Sequence, residues 1–162
     1  MKAVQNLASD ISEAIESAKF DEYDIDAGTN SFCGTFAMVL KKSFPEIELG
    51  LIVFNDAKGQ PLIAKDGQYV WRHAVGIVDD RLFDIEGEVL LEHLVENYCW
   101  NNPKGKGGSL VRMSEDEFLA HVDDAKGSFD PAYYAKWMKA MLRGRNAVLD
   151  REGGLAVSLL GR

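Results

Sequence analysis

At 162 residues, with 46% hydrophobic and 10% aromatic content, the chain is long enough to bury its own core and too apolar to stay disordered. Its 26 acidic against 18 basic residues give a formal charge of −8, which argues against nucleic-acid and anionic-membrane partners and suits a cationic or neutral one, a protein or peptide-like substrate or partner. No run approaches the roughly 20 apolar residues of a membrane span, and the N-terminus, with Asp10, Glu13 and Glu16, lacks the layout of a signal peptide. A single cytoplasmic domain over residues 1–162 with reduced thiols is expected, since Cys33 and Cys99 make no disulfide framework.

From the N-terminus, Val4, Leu7, Ile11, Ala14, Ile15 and Ala18 recur every three or four residues and predict an amphipathic helix over Ala3 to Ala18. Phe20 to Thr29 is acidic and includes Gly28, so it reads as a loop leading into a helix capped by Asn30 or Ser31. That helix begins at Cys33 and is apolar on nearly every side, so it has to be buried on every side. It stops near Ser43, because Pro45 disfavours helical geometry in the residue before it. Ile47 to Phe54 alternates and then turns continuously apolar, as a central strand does. Asn55 to Pro61 is a turn, and a second short strand covers Leu62 to Ala64 or Tyr69 to Trp71. His73 to Val78 and Arg81 to Ile85 flank Asp79-Asp80 as a tight β-hairpin. A short helix is expected around Val89 to Val95 and a Gly- and Lys-rich loop over Asn101 to Gly108. Ser114 opens a capped helix running through His121, and Asp130-Pro131 opens another over Ala132 to Leu142. The tail from Gly153 receives no assignment. Helices followed by antiparallel strands and then helices make the fold class α+β.

The first turn of a helix carries unpaired N–H groups and the positive end of the dipole, both of which favour a thiolate, and this makes Cys33 a candidate nucleophile. Such a nucleophile needs a base, and the base needs a group to hold its tautomer. His73 and Asp84 fit these roles, because they fall on adjacent strands of the expected hairpin, roughly opposite one another. The motifs Asn30-Ser31-Phe32-Cys33-Gly34, Trp71-Arg72-His73-Ala74-Val75 and Asp79-Asp80-Arg81-Leu82-Phe83-Asp84 together resemble the papain-like superfamily, above all its transglutaminase-like branch, and are similar to small bacterial and phage proteins of that fold. The resemblance covers residues 29 to 87, and the Trp that usually follows the nucleophile is replaced by Gly34. It implies a buried Cys-bearing helix packed on a small antiparallel sheet with flanking helices. It also implies a cysteine-dependent hydrolase or acyltransferase acting on an amide or thioester carbonyl, with Cys33 attacking, His73 shuttling the proton and Asp84 holding His73. The Cys33 backbone N–H and, as a weaker donor, the Asn30 side chain would face the oxyanion.

Each residue also has a plainer reading. Cys33 on an apolar helix can be packing, His73 a satisfied core histidine, and Asp84 a hairpin closure. On that reading the chain is an inactive papain-like fold serving as a protein-binding or inhibitory module of phage or toxin–immunity type. Cys99 reads as structural, His93 and His121 as solvent-facing, Lys104 and Lys106 as a solvated loop, and Tyr133, Tyr134 and Trp137 as core. The spacings suggest no metal site and no cofactor.

Overall fold

The computed structural model describes residues 4–123 and 128–160. Its elements run α1 (Val4–Ala18), α2 (Glu22–Asn30), α3 (Cys33–Ser43), β1 (Glu48–Phe54), β2 (Trp71–Val78), β3 (Arg81–Asp84), β4 (Gly87–Val89), α4 (Leu91–Cys99), β5 (Gly108–Met113), α5 (Glu115–His121) and α6 (Pro131–Leu160). The strands form one antiparallel sheet in the order β4-β3-β2-β1-β5. The class is therefore α+β, and no helix among the described residues is long and apolar enough to cross a membrane.

α3 behaves as its apolar sequence requires: every residue from Cys33 to Leu40 is buried. It lies between the sheet and a layer formed by α1 and α6, where Ile11, Ile15, Phe36, Leu40, Phe83, Trp137 and Met141 share one core. Phe20 and Phe36 meet Trp137 edge to face, the arrangement that opposes the ring quadrupoles favourably. Gly144 lets α6 cross α1, since a Cβ there would stand 2.3 Å from the Ala14 carbonyl oxygen. The other face of the sheet, with Ile52, Val75, Ile77 and Leu82, is covered by Leu94 and Cys99 of α4.

Several expectations need correction. The acidic stretch before α3 is not a loop but α2, closed by a capping box in which the Asp24 N–H donates to Asp21 Oδ1 at 2.8 Å and the Asp21 N–H to Asp24 Oδ2 at 3.3 Å. The N-cap of α3 is accordingly Phe32, because Asn30 ends the preceding helix. Val89 belongs to a strand and α4 starts two residues later, at Leu91. The edge strand β5 pairs with β1 where only a loop and a cap were expected. α6 continues well past Leu142, and its backbone takes in the tail from Gly153 as far as Leu160. His121 is buried, not solvent-facing: its Nδ1–H donates to the Glu117 carbonyl and Nε2 accepts the Tyr69 N–H, so both ring nitrogens serve the fold.

Candidate active site

Cys33 opens α3, and the helix N-terminus there receives no side-chain cap from Phe32. Its first N–H groups therefore stay available to an anion, with the helix dipole behind them. Gly34 follows because Val122, the residue that caps the end of α5, leaves no room: a Cβ would meet its Cγ1 at 2.3 Å. Thr35 fixes the same turn by accepting the Asp130 N–H at 3.0 Å.

His73 lies on β2 beside a register shift, where Ile52 pairs with His73 and Val53 with Trp71, leaving Arg72 as the extra residue. A bulge of this kind re-aims the neighbouring side chains. The hairpin register pairs Gly76 with Phe83, which puts Asp84 opposite Val75 and one diagonal step from His73 on the same side of the sheet. His73 Nε2 lies 2.9 Å from Asp84 Oδ2, and Asp84 Oδ1 accepts the Glu86 N–H at 2.8 Å. Both of this pair are buried, His73 completely.

The other ring nitrogen, Nδ1, makes no hydrogen bond of normal geometry. Cys33 is nonetheless close enough to act on the ring. Burial pulls the His73 pKa down, but the Asp84 hydrogen bond and then Cys33, by contact and by charge, outweigh it and raise it to about 9. At neutral pH the ring is therefore held in its protonated form.

Tyr98 of α4 stacks flat on this ring, with centroids 4.0 Å apart and planes 10° from parallel, and its hydroxyl donates to the Thr29 carbonyl at 3.2 Å. Burial first, then the charges of Asp84, Cys33 and Glu86, pushes the Tyr98 phenol up, so it stays a neutral wall. On the far side of Tyr98 and Asp84 opens a cleft of ≈ 330 Å³ that also reaches Glu86, Glu88 and His93. The sequence offers one clue to Tyr98. Leu91, Leu94, Val95 and Tyr98 share one face of α4, although nothing local says that His73 lies beneath it.

The structure joins His73 to Asp84 by a hydrogen bond, sets Cys33 near enough to act on the ring, and leaves Asn30 out. The Asn30 amide donates to Asp26 Oδ1 at 2.6 Å on the protein surface, which removes it from the oxyanion role. Cys99 is buried against the Val53 carbonyl, and burial pushes its thiol pKa up. No group of three or more His, Cys, Asp or Glu able to hold a metal ion occurs among the described residues. The chain matches no known protein-family model, no curated protein and no solved structure.

Proposed function

We propose that the chain is a cysteine-dependent hydrolase or acyltransferase of papain/transglutaminase-like fold, acting on an amide or thioester carbonyl. The observation that carries this is a fully buried imidazole hydrogen-bonded to Asp84 on one side and influenced by Cys33, at an uncapped helix N-terminus, on the other. The Cys33 sulfur attacks the carbonyl carbon, the carbonyl electron pair moves to oxygen, and the Cys33 N–H faces the oxyanion. As the tetrahedral species collapses, the bond to the amine or thiol breaks and His73 gives that leaving group its proton. Water or an amine then attacks the Cys33 thioester, His73 takes the incoming proton, and the thiolate leaves. Asp84 keeps the ring oriented throughout. The net charge of −8 favours a basic protein or peptide as substrate or partner.

Alkylation with iodoacetamide near neutral pH, mapped by mass spectrometry, tests this reading. Cys33 is expected to react first, with H73A and D84A slowing it and Cys99 spared behind its raised pKa. Labelling of Cys99 ahead of Cys33 would overturn it. A second reading draws on the low exposure of the pair, 6% for Cys33 and 0% for His73. Under it the chain is an inactive papain-like fold used as a binding or inhibitory module. Native protein whose two thiols both resist alkylation until it is unfolded would favour that reading.

A further inference from the structure

The chain is strongly acidic, yet one pocket of ≈ 340 Å³ between α6 and the α1–α2 junction is ringed by Lys19, Lys136, Lys139 and Arg143. Its only acidic lining residues are Asp21 and Asp24, so four cations face two carboxylates. Asp24 is moreover committed: it is buried, and its Oδ1 accepts from Lys136 Nζ at 2.7 Å and from Trp137 Nε1 at 3.1 Å. That bond pins Lys136 at the mouth of the pocket, while Lys19, Lys139 and Arg143 make no ion pair among the described residues. None of the triad residues lines this pocket.

Two features oppose stability and so call for another explanation. Lys139 and Arg143 stand four residues apart on one face of α6, where like charges repel. Lys19 adopts a left-handed backbone, φ 54°, just past the end of α1, a position that favours glycine because a Cβ crowds the following carbonyl. A glycine would sit there without strain but would put no cation at the pocket.

From these features we infer that the pocket is an anion site for a small molecule carrying two or more phosphate-type groups. Lys136 to Arg143 spans about 10 Å of helix, too far for one monovalent ion to satisfy both ends, whereas an oligophosphate bridges converging side chains. Its volume suits a compact ligand, and Phe20 beside Trp137 supplies an apolar floor. Lysine and arginine pair with phosphate oxygens through charge-assisted hydrogen bonds, which are stronger than neutral ones.

Titration of the full chain with inorganic pyrophosphate, followed by calorimetry, tests the assignment. One-to-one binding is expected, weakened about tenfold or more in K139E/R143E and by an intermediate factor in K139Q/R143Q. Folding of each variant is checked by circular dichroism, and the neutral pair keeps the test open if charge reversal unfolds the helix. K58E/K65E, a matched reversal on an exposed loop away from the pocket, is expected to leave binding unchanged. Absence of binding at about 10 mM pyrophosphate, far weaker than a built phosphate site, would overturn the inference. Equal weakening by the loop pair would overturn it too, since that would mean attraction to charge anywhere on the surface.

Discussion

At the level of single residues, the ring of His73 is constrained in three ways. Asp84 fixes one nitrogen, Cys33 acts on the ring, and Tyr98 covers a flat face. Each constraint contributes differently, and Tyr98 separates packing from hydrogen bonding. Y98F keeps the stack and loses only the bond to the Thr29 carbonyl, so its cost should be about 1 kcal/mol, that of one ordinary hydrogen bond. Y98A removes the wall and should cost about 3 kcal/mol in urea denaturation. On the roles proposed for Cys33 and His73 it should also slow Cys33 alkylation by about tenfold to a hundredfold, because a base displaced by about an ångström no longer serves its nucleophile. Equal alkylation rates in Y98A and the parent chain would show that Tyr98 merely packs.

Among the elements, glycines decide how closely helices approach, and two of them separate a movable obstacle from a fixed one. A Cβ at Gly34 would strike the Val122 side chain, whereas a Cβ at Gly144 would strike the backbone oxygen of Ala14. Alanine is the better helix former by up to about 1 kcal/mol, yet both substitutions should destabilise, by roughly 1–3 kcal/mol, because overpacking wins. Only G34A has a remedy: adding V122A removes the obstructing methyls and should recover most of the loss in a denaturation series. No side-chain deletion relieves G144A. The same contrast between local and remote causes governs what the sequence reveals. α3 and the β2–β3 hairpin were legible because their signals are local: an unbroken apolar run, and Asp79-Asp80 between two periodic strands. So was the pairing of His73 with Asp84, which follows from the hairpin. α2 was not, since its acidic face looks like solvent until Lys136 and Trp137, more than a hundred residues away, close on Asp24. β5 is half-buried at an edge and its Gly-Ser start disguises it. The oxyanion role for Asn30 failed for a related reason: the residue belongs to the end of a helix that the sequence did not announce.

For the molecule as a whole, two buried ionic centres set opposite limits on the pH range of stability. Burial alone would raise the Asp24 pKa, but its bonds to Lys136 and Trp137, the Asp21 backbone and the Lys136 charge together hold it below 3.8. That contribution is fully present above 3.8 and is lost as pH falls through the lower folded value. His73 is the mirror case: its pKa rises from 6.5 to about 9, so its contribution is complete below 6.5 and disappears as pH climbs through about 9. Both contributions are complete together only between 3.8 and 6.5, and each fades outside that window on its own side. A net charge of −8 adds a smooth alkaline decline through self-repulsion, and that background is shared by every variant. The attribution therefore rests on differences between urea-denaturation profiles. H73Q, although less stable, should lose the excess slope between pH 6.5 and about 9 while keeping the acid limb, and D24N should do the reverse. An alkaline limb of unchanged steepness in H73Q would mean that the imidazole is not charged in the folded protein. The ion pair between His73 and Asp84 would then have to be abandoned.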